Sequence, residues 1–184
     1  VSELIDLGIN RILQYKTTAR VDPSDIYVGH SGGKDSVLIH WIARIAADDI
    51  ATGLRFDVIH NPKPWQGNNV GVHPLTATFL REQKFPITYV PPSVMPRYIR
   101  DKGYKAQIDG TRKFEADRTD GRSTNVVVDG VETQRSELSN PFIKNGLFGL
   151  DYVLPIYDFT DEEVWTCLRV LALPVSVEYQ GQQS

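Results

Sequence analysis

The chain has 184 residues, 41 % of them hydrophobic and 23 % charged, and its 20 Lys and Arg against 23 Asp and Glu give a net charge of −3. A chain of this length buries about 70 % of the surface that its unfolded form exposes, so a full core forms without staples, and the composition excludes disorder, collagen and coiled coil. No apolar run approaches the roughly 20 residues of a membrane helix, and no signal-peptide order opens the chain, so the expectation is a soluble, cytoplasmic protein with no membrane partner. Cys167 is the single cysteine. It can make no internal disulfide, no Cys-x-x-Cys redox pair and no iron–sulfur cluster.

Apolar residues Ile5, Ile9, Ile12 and Leu13 recur at helical spacing, which predicts an amphipathic helix over the first sixteen residues and a linker to about residue 24. Ile26 to Gly29 is a short apolar run that stops at Ser31-Gly32-Gly33. Val37, Leu38, Trp41, Ile42 and Ile45 then share one face, so the reading is strand, glycine loop, helix. Leu54 to His60 is a second strand, broken by Asn61-Pro62. Pro74 opens a helix to about Lys84 and Pro86 ends it. Ile87 to Val90 is a third strand, Pro96 opens a short basic helix, and residues 108 to 125 are polar and irregular. Val126 to Val128 is a fourth strand with Asp129-Gly130 at its end, and Ser136 to Leu150 is a loop or surface excursion. Thr160 and Glu163 form a capping box for a last helix that runs to Pro174.

Strands alternating with helices predict an α/β fold, one Rossmann-like domain over residues 1–184 with a parallel sheet and helices on both faces. Ligands of such sheets sit at the carboxyl ends of the strands, where strand order reverses. Residues 96–122 carry eight positive against five negative side chains, whereas residues 123–184 carry three against nine. That modest basic stretch suits one small anion and argues against direct nucleic-acid binding.

The strongest chemical signal is Ser31-Gly32-Gly33-Lys34-Asp35-Ser36. Adjacent glycines let backbone N–H groups turn toward one point, the helix that follows adds positive potential, and Lys34 and two hydroxyls supply further donors, a cradle for phosphate. It is not a Walker A loop, because Asp35 stands where Ser or Thr would hold Mg²⁺ and Val28 where glycine is needed, nor is it the dinucleotide fingerprint. The four histidines, His30, His40, His60 and His73, show no metal spacing, so no zinc is expected.

The loop resembles the pyrophosphate loop of the PP-loop adenine nucleotide α-hydrolase-like superfamily, and the rest of the chain resembles its phosphoadenosine phosphosulfate reductase branch, which includes the small subunit of sulfate adenylyltransferase and proteins of DNA sulfur modification. Val126 to Glu132, with Gln134-Arg135-Ser136, is similar to the branch's fourth strand and the cluster after it. Leu154-Pro155-Ile156-Tyr157-Asp158-Phe159-Thr160 with Glu163-Val164-Trp165 is similar to its Pro-Ile-x-Asp-Trp-Thr stretch, and Pro174 with Glu178 to Gly181 to a later segment. The reductases carry a catalytic cysteine in a tail beyond that segment, and this chain stops at Ser184 without one. Gly110-Thr111-Arg112 stands where many relatives have Cys-Thr-Arg. Cys167, inside the last helix, reads as a buried, inert thiol.

The resemblance implies an adenine nucleotide, either ATP or phosphoadenosine phosphosulfate, as ligand. Ser31, Gly32, Gly33, Lys34, Asp35 and Ser36 would hold its phosphates, with Mg²⁺ near Asp35. His60 and Asn61 would meet the base or ribose, and Trp65 could cover the base. Gly130, Arg112 and Arg135 complete the expected site, the arginines as oxyanion ligands. Three functions stay open: a reductase-like protein that binds ATP or a sulfonucleotide without the catalytic cysteine, with a partner protein as one source of a thiol or acceptor; an adenylating enzyme that releases pyrophosphate; and a non-catalytic nucleotide binder. The acceptor and the oligomeric state are left open.

Overall fold

The computed structural model describes residues 1–49, 56–62, 74–114 and 125–176. Helix α1, Ser2–Ala19, buries Ile5, Ile9, Ile12 and Tyr15 along one stripe and ends at Arg20, whose φ of 53° is left-handed. A 3-10 turn over Pro23–Asp25, capped by the Asp22 side chain, feeds strand β1, Ile26–Gly29. Helix α2, Lys34–Asp49, follows the glycine loop, and strand β2 is Asp57–His60. Residues 54 and 55 of the expected second strand lie outside the described residues. Helix α3, Pro74–Arg81, strand β3, Thr88–Tyr89, and helix α4, Met95–Lys102, come next. Strand β4, Ala106–Ile108, precedes β5, Asn125–Val128, and β6, Val131–Gln134. Strands β7, Phe142–Ile143, and β8, Asp151–Val153, lead to helix α5, Asp161–Val170.

Six strands form one sheet in the order β3-β2-β1-β4-β8-β7, parallel except for the β7–β8 pair at the edge. The chain runs outward from β1 through β2 to β3, returns to lay β4 on the other side of β1, and continues outward to β8. The order therefore reverses between β1 and β4, the place where α/β sheets open a ligand crevice. Alternation along β1 assigns the two faces. Ile26 and Val28 pack with α1, α2 and α5 in the main core, whereas Tyr27 joins Ile59, Val90, Met95, Ile99, Tyr104 and Leu150 on the side of α4. The α/β class with helices on both faces is as the sequence reading has it. No helix among the described residues is long and apolar enough to cross a membrane.

Two strand assignments are corrected. The fourth strand of the parallel sheet is β4, drawn partly from the segment read as irregular, and not Val126 to Val128. Those three valines are only half-buried and pair antiparallel with β6 in a separate two-stranded hairpin. Asp129 and Gly130 form its turn with φ of 50° and 77°, both left-handed, which matches the right-handed twist of a hairpin. The excursion from Ser136 to Leu150 also contributes Phe142 and Ile143 to the main sheet as its antiparallel edge.

Candidate functional site

β1 delivers its chain to the switch point, and the residues that follow tie themselves into a compact loop. The Ser31 amide donates to Ser36 Oγ at 2.9 Å, the Gly32 amide to His30 Nδ1 at 3.0 Å and the Gly33 amide to Ser31 Oγ at 3.2 Å. The two serine hydroxyls meet at 2.8 Å. Gly32 has a φ of +85°, and a Cβ there would lie 2.3 Å from Thr76 Cγ2 of α3, so both backbone freedom and space require glycine. The first backbone bond of α2 runs from the Val37 amide to the Gly33 carbonyl, which leaves the amides of Lys34, Asp35 and Ser36 without acceptors inside the helix. These amides and the helix dipole make the end of the loop a seat for an anion.

The loop after β4 closes the other side of the crevice. Gly110 brings its backbone so close to α2 that a Cβ would stand 3.2 Å from Asp35 Cβ. The Asp109 carboxylate accepts from the Thr111 amide at 2.8 Å and from Gln107 Nε2 at 2.8 Å, which braces this turn. Arg112 then reaches back across the switch point, only 1 % exposed. Its Nε donates to Asp35 Oδ1 at 3.0 Å, its Nη1 to the Phe159 carbonyl at 3.2 Å and its Nη2 to Asp161 Oδ1 at 2.8 Å. Lys34 Nζ lies 3.3 Å from Asp35 Oδ2 and 3.2 Å from Asp161 Oδ1, and 5.9 Å from the centre of the Trp165 ring. Two cations and two carboxylates thus interlock at the mouth of the crevice. Burial raises the Asp161 carboxyl, but Lys34 and Arg112 outweigh it and hold the group below its ordinary value.

This arrangement changes two of the expected roles. Arg112 is a buried brace between α2 and α5, its guanidinium spent on three protein acceptors. Asp35 shares its carboxylate with Arg112 and Lys34, so a Mg²⁺ ion held by Asp35 does not fit this donor set: it would have to displace a lysine and compete with a guanidinium. Arg135 sits on a 3-10 turn just after β6, half-buried. Burial and Arg112 push its pKa down, while Asp109 and Asp35 hold it up, so its charge is felt at the same crevice. Gly130 is held instead at the hairpin turn, its amide bonded to the Asn145 carbonyl.

His60 and Asn61 end β2 beside the loop. His60 is 5 % exposed, and its Nδ1 lies 2.7 Å from the His30 carbonyl. A carbonyl only accepts, so Nδ1 carries the proton and Nε2 is the bare acceptor. Burial lowers the His60 pKa against the opposing bond to His30, keeping the ring neutral. His60 Nε2 and Asn61 Nδ2 are both buried without a hydrogen-bond partner among the described residues, one an acceptor and one a donor. Trp65 lies outside the described residues. Cys167 is fully buried, and burial raises its thiol pKa.

Asp161 and Asp109 were not singled out from sequence. An acidic residue in a first helical turn reads as ordinary capping, and only the packing of α5 against α2 turns Asp161 toward Lys34.

No protein-family model matches the chain, and no curated protein does. Solved structures do. Candida glabrata FMN adenylyltransferase in complex with FMN and an ATP analogue superposes with a TM-score of 0.70 at 12 % identity, over 97 % of this chain and 60 % of that one. Yeast FAD synthetase in complex with FAD gives 0.60 at 15 % identity, over 97 % of this chain and 61 % of that one. Phosphoadenylyl-sulfate reductase from Candida auris gives 0.51 at 12 % identity, over 94 % of this chain and 90 % of that one. The chain thus spans about three-fifths of the length of the adenylyltransferase and synthetase structures. With the Ser31–Ser36 loop at the β1–β4 switch point, it has the mostly parallel, Rossmann-like α/β fold of these adenylyltransferase, synthetase and reductase structures.

Proposed function

We propose that this chain binds ATP, with the phosphates on the Ser31–Ser36 loop and the N-terminus of α2, and transfers the adenylyl group to an acceptor. The observation that carries the reading is Lys34 at the head of α2, at the sheet's switch point, beside three amides with no acceptor inside the helix. The acceptor's oxygen attacks the α-phosphorus. The bond from that phosphorus to the bridging oxygen breaks, and pyrophosphate leaves with the electron pair. The negative charge that builds on the leaving group falls beside Lys34 and the helix dipole, so the chain acts by position and charge and needs no protein nucleophile. His60 Nε2 and Asn61 Nδ2 complement the edge of adenine, which offers an amine donor next to a ring-nitrogen acceptor. FMN, bound in a neighbouring structure, is the first acceptor to try.

A second reading is favoured by the reductase structure, whose length the chain nearly spans. In it the same site binds a sulfonucleotide. Reduction would then take its thiol from a partner protein, because Cys167 is buried within this chain's core. Competition between ATP and phosphoadenosine phosphosulfate for the purified chain separates the two, together with pyrophosphate release measured with and without FMN. ATP preference with acceptor-dependent pyrophosphate supports adenylyl transfer; preference for the sulfonucleotide with no release overturns it in favour of the second reading.

A further inference from the structure

Part of the crevice's donor set is satisfied within the chain. Three loop amides are taken by Ser36, His30 and Ser31, and both cations at its mouth are taken by carboxylates. The two carboxylates are not equivalent. The Asp35 side chain is 15 % exposed and is pinned under the Gly110 backbone, whereas the Asp161 side chain is 61 % exposed. A single oxygen of Asp161 serves Lys34 at 3.2 Å and Arg112 at 2.8 Å. If that oxygen turns to solvent, Arg112 keeps Asp35 and the Phe159 carbonyl, so no buried charge is abandoned. Lys34 becomes free to meet another anion. The backbone of Asp161 stays fixed meanwhile, because the capping box of Thr160 with Glu163 holds the first turn of α5.

We propose that Asp161 is a carboxylate gate on the phosphate seat. It holds Lys34, and an incoming phosphate displaces it by taking Lys34 for itself. The proposal rests on the nucleotide reading of the loop and adds to it a residue that sets phosphate affinity. Asp161 works against binding: each phosphate that arrives must break its contact with Lys34 and then share the crevice mouth with its negative charge.

Calorimetric titration of the full chain with inorganic pyrophosphate and with ATP tests this, using the wild type, Asp161→Asn, Asp161→Glu and the double variant Asp161→Asn/Lys34→Ala. The gate predicts that Asp161→Asn binds both ligands about threefold to fivefold more tightly, the range of one exposed ion pair. Asp161→Glu restores the charge and returns affinity toward the wild type. The gain from Asp161→Asn disappears when Lys34 is alanine. Melting temperatures recorded on the same samples show that each variant is folded. Unchanged or weaker binding by folded Asp161→Asn, alongside a wild type that binds, overturns the gate and leaves the nucleotide reading standing. Absence of binding by wild type and Asp161→Asn alike overturns both.

Discussion

Arg112 Nε donates to Asp35 Oδ1 at 3.0 Å across the point where the strand order reverses, joining the loop after β4 to the first turn of α2. Arg112 is 1 % exposed and has two further acceptors on the α5 side, so it locks three segments around the crevice. Removing it leaves the Asp35 carboxylate to Lys34 alone and takes away the ties to Phe159 and Asp161. Arg112→Ala is expected to destabilise the fold by about 3 kcal/mol, the scale for breaking a buried pair from one side. Chemical denaturation checks this, and a loss below 1 kcal/mol would show that Asp35 finds solvent.

The glycines of the two turns should behave differently. Gly32 and Gly130 are both left-handed, but a Cβ on Gly32 runs into Thr76, whereas one on Gly130 meets nothing within 4 Å. Gly130→Ala is expected to lose about 1 kcal/mol, the strain of the left-handed region alone. Gly32→Ala adds a clash that shifts the loop, so it should be less stable than Gly130→Ala and lose nucleotide affinity. Urea melts with parallel titrations compare them, and equal losses would contradict the packing of α3 on the loop.

The strand-loop-helix unit was legible because its apolar periods and its glycines point the same way. The same holds for α5, where the Thr160 and Glu163 capping box forms as the sequence indicates. β4 and β8 escaped detection because each is three residues long, too short to show a period, and each is defined by its neighbours in the sheet. Val126 to Val128 misled for the opposite reason. A run of valines reads as a buried parallel strand, although Asp129-Gly130 with apolar and β-branched residues on both sides is a hairpin signal. In the site, Lys34 and the glycines were readable from local chemistry. The brace of Arg112 with Asp35 and with Asp161 depends on partners 77 and 49 positions away in the chain, and the turn of Asp161 toward Lys34 spans still more, so both are visible only once the sheet is assembled.

Acid should loosen the loop through His30. Burial, with His40 and His60 adding to it, drops its pKa to about 3, and its neutral Nδ1 accepts the Gly32 amide. An unfolded histidine titrates near 6.5. Between about pH 6.5 and 3 the unfolded chain therefore binds the proton and the folded chain does not, so stability falls as pH drops through that window and rises with pH across it. His40, lowered to about 4, contributes in the same direction. His30→Asn removes one of these protons, so its stability should decline less steeply over that window in denaturation curves taken at several pH values. An identical slope would exclude His30 as a source.

Cys167 is fully exposed only by unfolding. A thiol reagent is expected to leave the native chain unmodified and to label it once denaturant passes the unfolding midpoint. Cys167→Ser should bind nucleotide as the wild type does. Rapid labelling of the native chain would reopen a role for this thiol.

In the proposed function, Lys34 and the amides at the head of α2 hold the phosphates of an adenine nucleotide. The most direct test is calorimetric titration of ATP into the wild type and into Lys34→Ala, with melting curves on the same samples. Lys34 is 13 % exposed, and Arg112 still neutralises Asp35 in its absence, so the variant should remain folded. Saturable binding to one site is expected in the wild type, with at least a tenfold loss in the folded variant, about 1.4 kcal/mol. Equal affinity in both proteins, or no binding in either, would contradict that function.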